Sequence, residues 1–174
     1  MRNIVVKTGT KIEIMSEVFI LLGGNVEDKS KIFDKTRKLI QNRIGMIEKM
    51  SSIYVTEPWG FESELFWNQV INTVTNFTPH EILQRTQAIE SEMGRIYNHA
   101  NYEARTMDID LLFYDDLQLD TPDLSLPHSK MEMRRFVLVP LNEIAPDKRH
   151  PINGFLVREM LERCTDPLRV ERIG

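Results

Sequence analysis

The run Arg105-Thr106-Met107-Asp108-Ile109-Asp110-Leu111-Leu112-Phe113 sets a basic side chain just ahead of two carboxylates, at a spacing that suits phosphate chemistry. Apolar residues recur at every second position, as in a β-strand with one face on a core. Residues two apart in a strand lie about 6.6 Å from each other on the same face. Asp108 and Asp110 therefore point one way, while Met107, Ile109, Leu111 and Phe113 point the other, toward a core that leaves the aspartates facing outward. Carboxylates this close repel unless a cation lies between them. Oxygen donors in such small number suit Mg²⁺, which completes its shell with water and substrate phosphates. The competing reading is a half-buried strand with an acidic solvent face.

Basic residues gather around this strand in sequence: Arg95 and Arg105 before it, Arg134 and Arg135 after it. Guanidinium forks bind phosphate oxygens in pairs, so a nucleotide triphosphate fits between metal-bearing carboxylates and arginines. No Gly-rich loop ending in Gly-Lys-Ser/Thr occurs, and Gly23-Gly24-Asn25 reads as a turn that ends a strand. His80, His99, His128 and His150 stand at no zinc-ligand spacing from one another or from Cys164. His128, after Pro127, either contacts phosphate or is an ordinary surface histidine. Ser51 and Ser52 have no nucleophile context. Of the aromatic residues, Trp67 is expected in the core. For Trp59 and Phe66 a flat ligand competes with core packing.

A chain of 174 residues, 28% charged and 41% hydrophobic, has the size and composition of one globular domain. A formal charge of −4 gives no basic field for nucleic acid, and no apolar run is long enough for a membrane span. A single cysteine leaves nothing to suggest an oxidising compartment, and Lys7 and Lys11 interrupt the N-terminal apolar positions, so a cytoplasmic location is expected. Residues 1–14 read as an extension with little structural purpose, ahead of a single domain over residues 15–174.

The elements follow from periodicity. Val18 to Leu22 is a buried strand, and a helix capped by Asp28 or Ser30 runs to Gly45. Met46 to Thr56 reads as one strand, Glu57 to Leu65 as a loop and Asn68 to Phe77 as a third strand. Thr78-Pro79-His80-Glu81 is a capping box that starts a second helix, which ends near Gly94 before the aspartate strand. The order βαββαβ predicts an α+β, ferredoxin-like antiparallel sheet with both helices on one face. A short strand at Leu117 to Leu119, a helix from Lys130 to Val139 ended by Pro140, and a helix from Phe155 to Arg163 follow it.

From about Val18 to about Arg163 the chain resembles the 6-hydroxymethyl-7,8-dihydropterin pyrophosphokinases of folate biosynthesis. The resemblance rests on the strand-Gly-Gly-Asn, Ser51-Ser52-x-Tyr54-x-Thr56-x-Pro58, Phe66-x-Asn68, Gln87-x-x-Glu90-x-x-x-Gly94-Arg95, Arg105-Thr106-x-Asp108-x-Asp110, Pro127-His128, Arg134-x-Phe136 and Pro140-Leu141. It implies transfer of pyrophosphate from ATP to the pterin alcohol with release of AMP, with Asp108 and Asp110 holding two Mg²⁺ ions. By the same likeness Arg95 and Arg105 would stabilise the transferred group, and Gln87, Glu90, Leu111, His128 and Arg134 would line the ATP site. The pterin would stack between Phe66 and Phe136, with Asn68, Thr56, Pro58 and Trp59 around it. The implied enzyme is a monomer acting on small molecules, and its loops at 23–28, 57–65 and 97–104 would close over them. Tyr97, Asn101, Tyr102 and Glu103 depart from the usual residues of the third loop and make it less basic, which implies weaker ATP affinity or slower closure. Two other classes share parts of this pattern: two-metal nucleotidyl transferases of palm type, which release pyrophosphate, and non-catalytic nucleotide- or RNA-binding modules.

Overall fold

The structure, a computed structural model, describes residues 4–8, 11–26, 28–57, 64–94 and 106–173. Its elements in chain order are β1 (Ile4–Thr8), β2 (Lys11–Gly24), α1 (Lys29–Arg43), β3 (Met46–Met50), β4 (Ile53–Thr56), β5 (Phe66–Thr75), α2 (Pro79–Glu92), β6 (Asp108–Tyr114), β7 (Leu119–Asp120), β8 (Ser125–Leu126), a 3-10 turn (Met131–Met133), α3 (Arg135–Ile144), α4 (Val157–Arg163) and β9 (Val170–Ile173). The core of this order is the βαββαβ pattern, and the fold is α+β with a ferredoxin-like antiparallel sheet.

The unbroken apolar run Val18 to Leu22 lies at the centre of the sheet, between β5 on one edge and β6 on the other. Both of its faces are covered. Val18, Ile20 and Leu22 pack with Phe33 and Ile40 of α1 and Ile82 and Ile89 of α2. Phe19 and Leu21 pack with Val137, Leu138 and Leu141 of α3 and Val157 and Met160 of α4. The sheet is thus sandwiched between two helical layers, which is why a continuous apolar strand, rather than an alternating one, is needed here.

Several elements depart from the sequence reading. Met46 to Thr56 is two strands rather than one: β3 pairs with the far half of β5 and β4 with its first residues, and the break falls at Ser51-Ser52. There Ser51 bonds Val70 through both its backbone N–H and its hydroxyl oxygen, satisfying groups that the kink takes out of the ladder. The third helix starts later than expected, after the 3-10 turn, and runs through Pro140 to Ile144. Proline removes one helical donor, but Val137, Leu138, Pro140 and Leu141 are all buried, and that packing carries the helix past it. The short strand near Leu119 is paired with β8, and β9 pairs with β4; neither partner was anticipated.

At the N-terminus, β2 passes through Met15 without interruption and β1 folds back on it, with Ile4 opposite Met15 and Thr8 opposite Lys11. The first residue of β2 to pair with the main sheet is Ser16, opposite Thr75. Residues 4–8 and 11–15 therefore form paired antiparallel strands continuous with the sheet rather than featureless chain.

Candidate active site

Four strands meet in one row across the sheet. Asp108 of β6 stands opposite Gly23 of β2, Gly23 stands opposite Asn68 of β5, and Asn68 stands opposite Tyr54 of β4. Residues directly opposite in a ladder share a face. With neighbouring strands about 4.8 Å apart, Asp108 and Asn68 are roughly 9–10 Å from each other, with only a glycine between them. A Cβ on Gly23 would lie 3.7 Å from Asn68 Oδ1 and 4.0 Å from Asp108 Cβ. Gly23 is thus the floor of the site as well as the end of a strand. The sequence pattern showed it only as punctuation, because the residues beside it come from strands 45 and 85 positions away.

The next row holds Asp110, Leu21 and Val70. Leu21 and Val70 belong to the core under α3, so the two aspartates face the α3 side of the sheet, where both are half-buried. This face is not an open solvent face, because a helical layer begins immediately beyond it. Alternation along β6 also breaks there. A register shift at Phe19/Ile20 leaves Leu112 as an extra residue, so Phe113, expected beside Ile109 and Leu111, packs in the α3 core instead.

Glu90 of α2 is 3% exposed and its Oε1 accepts the backbone N–H of Ile109 at 2.8 Å, between the two aspartates. It ties the acidic strand to α2. Gln87, one turn earlier, is exposed, and its carbonyl accepts the Ser91 hydroxyl. Leu111 lies in the α1/α2 core with 4% exposure, so its side chain packs there rather than facing a ligand.

His128 is held to the acidic strand by its N–H, which donates to the Leu112 carbonyl at 3.0 Å. Its Nδ1 accepts the Lys130 N–H at 3.2 Å, which leaves Nε2 as the N–H of the neutral ring. Burial pushes its pKa below the ordinary value, Arg134 and Lys130 push the same way, and the Asp108 carboxylate pulls it up. The imidazole, the two cations and Asp108 therefore share one electrostatic neighbourhood. Arg134 also lies over the Phe136 ring at 5.6 Å.

Thr56 and Phe66 are opposite each other at the ends of β4 and β5, on the face that carries Asn68, whose side-chain amide donates to Thr56 Oγ1 at 3.1 Å. Phe136 is half-buried at the start of α3, against the core on the same side. Trp67 points to the other face and meets Phe33 edge-on at 5.9 Å, as expected of a core residue. A residue that the sequence reading missed is Glu143 of α3. Its carboxylate accepts the N–H and O–H of Ser52, each at 2.8 Å, and the O–H of Tyr54 at 3.1 Å, which docks β4 on α3. Burial first, and Glu143 second, raise the Tyr54 pKa.

Pro58, Trp59, Arg95 and Arg105 lie outside the described residues, as do Tyr97, Asn101, Tyr102 and Glu103. Among the described residues no group of three or more His, Cys, Asp or Glu is arranged to hold a metal ion. The chain's contribution here is a pair of hard carboxylates, and such a donor set fits Mg²⁺, which takes its other oxygens from water and phosphate.

Fold and site together define a class, a ferredoxin-like α+β enzyme whose acidic strand end faces a second helical layer. The sequence model of the family described as 7,8-dihydro-6-hydroxymethylpterin-pyrophosphokinase matches residues 19–146. A 2-amino-4-hydroxy-6-hydroxymethyldihydropteridine pyrophosphokinase from Porphyromonas gingivalis is 39% identical over 136 residues, covering 76% of this chain and 92% of its own. A second, from Methylorubrum extorquens, is 35% identical over 161 residues, covering 91% and 99%. The chain belongs to the 7,8-dihydro-6-hydroxymethylpterin-pyrophosphokinase family. The fold is also that of the solved wild-type Plasmodium falciparum HPPK-DHPS with pteroate, at a TM-score of 0.71 and 16% identity. That match covers 91% of this chain but 43% of the other, so the chain spans less than half of the solved protein's length.

Proposed function

We propose that this chain transfers the pyrophosphoryl group of ATP to the hydroxymethyl oxygen of 6-hydroxymethyl-7,8-dihydropterin and releases AMP. The observation that carries the reading is the row Asp108–Gly23–Asn68, which sets a carboxylate for the phosphate side beside an amide for the pterin side across a side-chain-free gap. Asp108 and Asp110 would hold two Mg²⁺ ions, which when bound neutralise the triphosphate and align its β-phosphorus for in-line attack.

The chain's own groups divide the remaining work. Asn68, with both a donor and an acceptor, reads the polar edge of the pterin, and Phe66 and Phe136 supply faces for its ring. Arg134 and the Nε2–H of His128 meet phosphate oxygens, and Arg95 and Arg105 are assigned the charge on the transferred group by family likeness. Glu90 keeps the two aspartates aligned by holding the backbone between them. By family likeness, closure over the substrates would exclude water, which otherwise competes with the pterin alcohol as nucleophile. The reading makes the protein a cytoplasmic monomer that meets its substrates as free small molecules, without nucleic acid. No helix among the described residues is long and apolar enough to cross a membrane.

The test is incubation with ATP, Mg²⁺ and the reduced pterin alcohol, followed by identification of products. AMP and the pterin diphosphate support the reading, and pyrophosphate released in their place overturns it in favour of nucleotidyl transfer. Asp108→Ala or Asp110→Ala is expected to cut turnover by about 10²- to 10³-fold or more with the thermal transition retained.

A further inference from the structure

The last stretch of the chain is attached to both walls of the proposed pterin site. Arg134 offers no side-chain cap to α3. The N–H of Arg135, the helix's first residue, instead donates to Asp166 Oδ2 at 2.9 Å, and Asp166 Oδ1 accepts the N–H of Leu168 at 3.0 Å. A distant carboxylate thus satisfies one of the donors that a helix start leaves open and complements the helix dipole. Four residues after Asp166, β9 begins and pairs with the whole of β4, with Val170 opposite Thr56 and Arg172 opposite Tyr54.

These attachments have a common geometric effect. The start of α3 carries Arg134 and Phe136, and the end of β4 carries Thr56, which is bonded to Asn68. Glu143 fixes the far end of α3 to the beginning of β4. The end of α3 nearer the ligand is joined to β4 through Asp166 and β9, so the tail closes a frame around the ring-binding gap. Residues 166–173 fall outside the 19–146 that match the family.

We propose that residues 166–173 are a positioning strap for the pterin, with Asp166 as its positioning residue. By holding the first turn of α3 at a set distance from β4, the strap fixes the gap between Phe136 and the Thr56–Asn68–Phe66 wall. A flat ring stacked between two aromatic groups is sensitive to that gap, and small misplacements in a site are costly. The inference rests on the reaction proposed above.

The experiment compares the full-length wild type with Asp166→Ala and Asp166→Asn in the AMP assay, with each substrate varied in turn and a melting curve for each protein. Asp166→Ala is expected to raise KM for the pterin alcohol about tenfold, the effect of losing one charge-assisted hydrogen bond, with kcat and KM for ATP within about twofold. Asp166→Asn keeps one acceptor oxygen and should fall between the two. A pterin KM unchanged in Asp166→Ala, a parallel rise in both KM values, or a lower melting temperature with unaltered kinetics each overturns the strap. Failure of the wild type itself to form AMP overturns the reaction and the strap with it, so the two failures are told apart by the wild-type lane.

Discussion

Gly23 is valuable to the site for what it lacks. A methyl group there would meet Asn68 and Asp108 only at ordinary contact distance, so Gly23→Ala should fold and keep most activity. Gly23→Leu would fill the gap between them. It is expected to melt within a few degrees of wild type yet lose binding of the pterin alcohol, as measured by calorimetric titration. Histidine chemistry gives a second prediction. Burial holds both His128 and His150 below their ordinary value of 6.5, with Arg134 reinforcing the effect at His128 and Glu132 opposing it at His150. The unfolded chain therefore takes up these protons first. Their contribution to stability is complete above 6.5 and declines as pH falls through that value toward the lowered folded ones. The melting temperature should drop between pH 7 and 5, and His150→Gln should flatten that slope. A melting temperature independent of pH in both proteins would refute the assignment.

At the scale of elements, two short signals set where helices begin and end. Thr78 Oγ1 accepts the Glu81 N–H while the Glu81 carboxylate accepts the Thr78 N–H at 2.8 Å, the reciprocal cap that starts α2. Thr78→Ala should cost about 1 kcal/mol in denaturant unfolding. Gly45 ends the turn after α1 because a Cβ there would stand 2.2 Å from the Val74 carbonyl oxygen. Backbone cannot yield as a side-chain tip can, so Gly45→Ala should destabilise by about 3 kcal/mol, more than the lost cap does. Both residues were legible in sequence as helix signals, but only the Thr78–Glu81 cap is local; what bars a side chain at Gly45 is the backbone of Val74, 29 positions away. The break at Ser51-Ser52, the bulge at Leu112 and the passage of α3 through Pro140 were not legible, since each is decided by what the element packs against.

For the whole molecule, the decisive feature is the second helical layer, which turns an acidic strand end into an enclosed corner. The N-terminal strand pair precedes the family match, which begins at residue 19, and Val18 is the first of the described core residues. We propose that residues 15–174 suffice for folding and catalysis. A chain beginning at Met15 should melt cooperatively and form AMP at the wild-type rate, and a broadened or absent transition would sink that division. The sequence by itself determined the types of the central elements, the βαββαβ order and the parity that aligns Asp108 with Asp110, because periodicity, caps and alternation act over a few residues. Only the tertiary structure decided which residues share a row, that Gly23 separates Asp108 from Asn68, that Glu90 braces the acidic strand, and that Asp166 caps a helix 31 positions before it. Those contacts join positions far apart in the chain, and no local pattern in either partner records the identity of the other until the sheet brings them together.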